Sequence, residues 1–216
     1  MIKISYCTYS DINLLTNITS SDVADADVTS IIVHATPQLN ADITCEVTRE
    51  PIGYIDVTRT NKVDGSNTTF YVQNWKGKYL ADFDDDGDVD ISDIIVYQVA
   101  SDGTETTLTV TTITHNQGKF VLSTAPNSGV RLYVTYRWCF EDCSTPSALV
   151  KKACIYLTAA LCYEKINSGK SPSIVFGNAR FTRHMKAYNE WYQKYEQIVN
   201  KINRKMADYG ESENIV

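Results

Sequence analysis

The sequence is poor in histidine, in proline and in long apolar runs, and each shortage removes a class of protein. Its three histidines, His34, His115 and His184, fall on separate predicted elements. With no His-x-x-x-His pair and no serine-centred elbow, no catalytic constellation is visible. An enzyme would need groups gathered in space, for instance His115 with Cys139 and Glu141. No apolar run approaches the ~20 residues of a membrane-crossing helix, so no membrane partner is expected. The opening residues, MIKISYCTYSDINLL, lack the apolar core and small-residue cleavage site of a secretory leader, so a reducing cytoplasm is expected. Cysteine is present without a metal-binding pattern. Cys139 and Cys143 have no second pair at zinc-ribbon spacing, and with Cys7, Cys45, Cys154 and Cys162 they read as buried thiols. Positive charge is also short: a net charge of −6 and a pI near 5.1 argue against a protein that grips nucleic acid through its phosphates. Lys151-Lys152 and the scatter of Arg180, Arg183, Lys186, Lys194, Lys201, Arg204 and Lys205 read as a solvated helix face or a local basic patch. Gly169-Lys170-Ser171 imitates the end of a phosphate-binding loop, but Glu164 stands where that loop needs glycine, and the segment follows a helix.

What is present suits a folded protein of two coupled lobes: 216 residues, 43% hydrophobic and 21% charged. In TPSALVKKACIYLTAALCYEKI the residues Leu149, Ala153, Leu157, Ala160, Leu161 and Ile166 recur at helical steps, which predicts a core helix over 145–166. Ser144 or Thr145 is its expected cap, Pro146 its first position, and Asn167-Ser168-Gly169 its end. Ser10-Asp11 predicts a short helical turn through Leu15. A longer helix is expected from near Asp22 to Ala41, capped by Ser20 or Ser21, burying Val28, Ile31, Ile32, Ala35 and Leu39, and kinked or opened at Pro37.

From Ile43 to Trp138 the apolar period drops to two, and Thr, Val, Ile and Tyr dominate between turn residues. Segments 55–60 and 69–73 predict a hairpin around Asp64-Gly65. Segments 94–99, 106–114, 119–122 and 130–138 predict a meander. In the last of these, Leu132, Val134, Tyr136 and Trp138 share one face. The fold class expected is α+β: a small helical bundle from residues 1–42 and 144–216, with an inserted antiparallel β-sandwich or barrel-like domain over 43–143.

The sharpest local signal is DFDDDGDVDISD, which places seven aspartates between Asp82 and Asp93. Counted from Asp82, carboxylates occupy positions 1, 3, 5, 9 and 12 of a calcium loop, with Gly87 at the sharp turn and Val89 at position 8. Ca²⁺ takes six to eight oxygens. Asp82, Asp84 and Asp86 would supply side chains, Asp88 its carbonyl, Asp90 a side chain or a bound water, and Asp93 the closing carboxylate. The alternative is an exposed acidic turn. The loop resembles that of dockerin modules more than a helix-flanked EF-hand, since position 12 is Asp, but a single copy followed by Ile94-Ile95-Val96-Tyr97 is no whole dockerin. Any metal here would be structural.

A final helix is expected from Asn178 to Asp208. Phe181, Met185, Tyr188, Tyr192, Tyr195, Val199, Ile202 and Met206 form a heptad-like seam, widened by Trp191 and Ile198. A seam longer than the core helix can cover points to a partner, with Phe181, Met185, Tyr188, Trp191, Tyr192, Tyr195, Val199 and Ile202 as the contact set.

The order of helix, β insertion and two helices, carried by TYSDINLLTNITSSDVADADVTSIIVHATPQLNADI and SALVKKACIYLTAALCYEKI, resembles the head–tail connector (adaptor, or head-completion) proteins of tailed bacteriophages. VDGSNTTFYVQNW, IIVYQVASDGTETTLTVTTI and GKFVLSTAPNSGVRLYVTYRW add to that likeness. The resemblance implies a non-enzymatic virion protein, made in the host cytoplasm and placed at the capsid–tail junction. It implies a homo-oligomeric ring, typically of twelve subunits, joining a portal protein to a tail or stopper protein. DNA would pass through the lumen without sequence-specific binding, and the final helix would reach the portal or a neighbouring subunit. The competing reading is a calcium-dependent β-sandwich binding module, for a glycan or surface partner, on a helical stalk.

Overall fold

A computed structural model describes residues 5–53, 58–73, 79–169 and 178–212. The fold is α+β, with four α-helices and two antiparallel sheets among the described residues, neither closed into a barrel. The chain divides into two compact units. One unites residues 1–43 with 146–216, and the other is the contiguous run 44–145.

The helical unit contains α1 (Tyr9–Thr16), α2 (Asp25–Ile43), α3 (Ala148–Gly169) and α4 (Asn178–Ser212). Thr8, not Ser10, caps α1, in a reciprocal pair with Asp11. Ser20 and Ser21 cap nothing, because Asp22 folds back onto the backbone N–H and hydroxyl of Thr19; α2 starts after that turn. The helix continues through Pro37 without the opening the sequence allowed, and the Thr36 hydroxyl donates to the Ile32 carbonyl at 3.0 Å. Ile31 of the expected stripe is only half-buried; Val28, Ile32, Ala35, Leu39 and Ile43 carry the core face.

Ser147 opens α3, not Ser144 or Thr145: its Oγ accepts from Val150 N at 3.3 Å and its carbonyl from Lys151 N at 2.8 Å. This helix is buried on more than one side. Val150, Ala153, Cys154, Ile155, Leu157, Thr158, Ala159, Ala160 and Cys162 are all covered, because α1, α2 and α4 each pack on it. Its alanines permit that close approach. The stripe read from the sequence was therefore too narrow. Lys151–Asp11 (2.9 Å) and Lys165–Asp27 (2.8 Å) fasten its exposed edges to α1 and α2.

The β unit contains β1 (Cys45–Pro51), β2 (Thr69–Tyr71), β3 (Tyr79–Ala81), β4 (Ile94–Val99), β5 (Glu105–Leu108), β6 (Val110–Thr114), β7 (Lys119–Leu122) and β8 (Arg131–Cys139). β8 is the spine of the larger sheet, with β1 on one side and β4 then β5 on the other. The smaller sheet is β2-β7-β6. One expectation fails here. Residues 106–114 are not one strand: the run breaks at Thr109, leaving β5 in one sheet and β6 in the other. The hairpin expected around Asp64-Gly65 involves residues 54–57, which lie outside the described ones. β2 pairs with β7, while Asn61 supplies its other edge, accepting from Tyr71 N at 2.9 Å and donating to the Tyr71 and Gly53 carbonyls. The alternation of β8 holds, with Leu132, Val134, Tyr136 and Trp138 buried together.

Candidate metal centre and helix face

β3 and β4 lie on the same side of β8 and in continuous register: Ala81 faces Arg137 and Ile94 faces Tyr136. Residues 82–93 are therefore a loop thrown out between two neighbouring rungs of one ladder. The flanks are strands and a 3-10 turn at Ile91–Asp93, as the β-branched run after the loop required.

Inside the loop, Asp82, Asp84 and Asp86 each place one carboxylate oxygen within 4.8 Å of the others. Asp82 is 2% exposed, and its Oδ2 accepts from Gly87 N at 2.9 Å. Gly87 adopts φ 89°, which a side chain would resist, and Asp85 also turns left-handed at φ 59°. Burial and the neighbouring charges of Asp85 and Asp84 push the Asp82 carboxyl up to about 6, against the pull of the Gly87 N–H. Asp93 is equally buried. Its two oxygens accept from Phe83 N and Asp90 N, closing the loop, and burial with the fields of Asp82 and Asp84 pushes it up to about 7. Arg137 reaches over from β8, donating to Asp85 Oδ1 at 2.8 Å and covering the Phe83 ring at 5.5 Å.

The remaining aspartates serve the backbone. Asp90 caps the 3-10 turn through Ser92 N and Oγ, which hold its carboxyl below the usual range, and Asp88 Oδ1 accepts from Val89 N at 2.7 Å. Of the six expected ligands, three carboxylates converge, Asp93 clasps the loop beside them, and the side chains of Asp88 and Asp90 are engaged locally. The donor set is all oxygen, which suits a hard cation such as Ca²⁺. Clustered, partly desolvated carboxylates are costly alone, so a divalent ion would relieve both repulsion and burial.

The seam of α4 splits in two. Tyr195, 2% exposed, and Ile202, fully buried, belong to the helical core instead of an outward contact set. The Tyr195 hydroxyl donates to the Asp42 carboxylate near the end of α2, and Asn203 Nδ2 donates to the Asp42 carbonyl at 2.9 Å. Tyr188, Trp191, Tyr192 and Val199 stay half-buried. Tyr188 stacks on Tyr192 with centroids 5.8 Å apart, and Trp191 lies 5.4 Å from the Tyr156 ring of α3 under the Lys194 ammonium. The Phe181 and Met185 side chains lie outside the described ones.

Sequence reasoning missed one polar cluster. After β8 the chain turns so that Asp142 Oδ1 accepts from Ser144 N (2.9 Å), Ser144 Oγ (2.7 Å) and Thr145 N (3.1 Å), while His115 Nε2 lies 2.8 Å from Ser144 Oγ. The residue types are those of a nucleophile, base and acid, but the wiring differs. Ser144 directs its proton to Asp142, and both partners sit on the same imidazole nitrogen, where a catalytic relay uses the two separately. The Asx-type turn S/D pattern around Asp142 was its sequence signal. Cys139 and Glu141, the groups named beside His115, bond to each other, Glu141 N donating to Cys139 Sγ at 3.3 Å, while the Cys143 thiol donates to the Glu141 carbonyl at 3.7 Å.

No protein-family model matches this chain, and no curated protein and no solved structure resembles it significantly. No helix among the described residues is long and apolar enough to cross a membrane.

Proposed function

We propose that this chain is a non-catalytic assembly protein of the head–tail connector kind: one subunit of a ring, of twelve copies by the resemblance, seated between a portal protein and a tail or stopper protein in a virion. The single observation that supports it is the discontinuous helical unit. The chain's beginning and end pack as one body around α3, and everything from 44 to 145 is an excursion from it. A subunit built this way keeps its assembling helices together while the β unit, its two sheets read as a β-sandwich, varies freely. α4, 35 residues and about 50 Å long, offers Tyr188, Trp191, Tyr192 and Val199 to a neighbouring subunit or portal after Tyr195 and Ile202 have been used internally. Net negative charge suits a lumen through which DNA slides without being held. The acidic loop takes Ca²⁺ as a structural ion, with Asp82, Asp84 and Asp86 as side-chain ligands.

Light scattering after size exclusion, on the chain alone and mixed with the portal ring of its virus, tests the proposal. Rings or a portal complex are expected; a strict monomer that ignores the portal overturns it. The oxygen cluster also favours a second reading, a calcium-dependent β module that binds glycan or a surface partner. Glycan-array binding abolished by a chelator would select it.

A further inference from the structure

Two cysteines from opposite ends of the chain meet inside the helical unit. Cys7, in the non-helical segment before α1, and Cys154, on the buried side of α3, place their sulfurs 3.1 Å apart, and both carry free thiols. Both are within 2% of full burial. Disulfide bonding needs a sulfur separation of about 2 Å, so an approach of roughly 1 Å joins them.

We propose that Cys7 and Cys154 form a redox latch, closing to a disulfide under oxidising conditions and fastening the N-terminal segment covalently to α3. The proposal is independent of the connector reading. The surroundings assign the roles. The Cys7 thiol donates toward Cys154, which favours the Cys154 thiolate against its burial, while Cys7 holds the proton.

Neither sulfur meets solvent in the closed fold, so reaction needs a local opening. Residues 5–8 lie outside any helix, and the Tyr6 hydroxyl reaches Asn40 Oδ1 in α2 over a long 3.4 Å. On opening, Cys7 loses its proton and attacks a low-molecular-weight disulfide such as oxidised glutathione, forming a mixed disulfide and releasing one small thiol. On redocking, the Cys154 thiolate displaces the second small thiol. Two protein thiols lose two protons and two electrons, and one reagent disulfide becomes two thiols.

The consequence follows from spacing. The bond spans 147 positions in the chain and encloses the entire β unit, so it ties the two halves of the helical unit together whatever happens between them. A closed loop of this length restricts the unfolded chain strongly.

The test uses the full chain in glutathione buffers, alkylated and mapped without reduction. A cross-linked peptide pair holding Cys7 and Cys154 is expected, with two of the six thiols lost and a melting midpoint raised by roughly 5 °C or more. After limited proteolysis within residues 44–145, the two helical fragments should migrate together until dithiothreitol separates them. Cys139→Ser should leave the cross-link intact. A bond between Cys139 and Cys143 with Cys7 and Cys154 still alkylated, a glutathione adduct on Cys7 that never resolves, or no thiol loss would overturn the latch. The wild-type peptide map decides the matter even if Cys154→Ser fails to fold.

Discussion

Ala81 and Ile94 occupy neighbouring rungs of one antiparallel ladder, opposite Arg137 and Tyr136, although the whole acidic loop lies between them in the chain. The sheet, and not a pair of helices, holds the loop's ends together, so its closure is fixed before any ion arrives.

Deleting residues 82–93 should therefore join Ala81 to Ile94 as one continuous strand. The expected product is a folded chain with native-like circular dichroism and a melting curve indifferent to calcium. An unfolded product would mean that the buried bonds of Asp93 and Asp82 hold the β unit more than the ladder does.

The wild-type midpoint should rise by about 5 °C or more when calcium exceeds its dissociation constant ~100-fold over the value in chelator. Asp82→Ala or Asp86→Ala should abolish that rise. Asp90→Ala should keep it while losing about 1 kcal/mol with or without calcium, because Asp90 caps a turn. Equal melting of the wild type in calcium and in chelator would remove the metal from the account.

Tyr195 and Tyr192 are adjacent on the seam, and their substitution should separate stability from assembly. Tyr195→Ala empties a buried site and removes the bond to the exposed Asp42 carboxylate, at a cost of about 3–5 kcal/mol in denaturant titration. Tyr192→Asp, at a half-exposed position, should leave the midpoint within a few degrees and prevent ring or portal association. Normal association of that variant would make the outer seam mere surface.

Asp142 sets an acid limit on the β unit. Burial opposes its charge, but bonds from Ser144 and Thr145 and the nearby His115 outweigh that and lower its carboxyl below the ordinary value. A lowered folded-state value stabilises above the unfolded value of about 4 and is lost as pH falls through the folded one. Asp142→Asn should therefore melt below wild type at pH 6, and the gap should narrow as pH falls below about 4.

Much of this architecture was legible because period is a local property. The change from helical steps to alternation falls beside Ile43 and Thr44, where the compact units divide, and the Gly87 register marked the loop's sharp turn. What escaped depended on partners remote in sequence. Nothing local distinguishes Asp93 as a clasp from Asp93 as a ligand, since both need a buried carboxylate at that position. Residues 106–114 read as a single strand because each half alternates well, and only the pairing of Val110 with Leu122 and of Leu108 with Val96 reveals the break at Thr109. Tyr195 looked equivalent to Tyr192 until Asp42 lay beside it.

The helical unit also dictates an order of events during synthesis. α1 and α2 emerge first with no α3 to receive them, so their apolar faces wait while the contiguous β unit has all its strands and can complete. The ribosome thus finishes the middle of this protein before its two ends can meet.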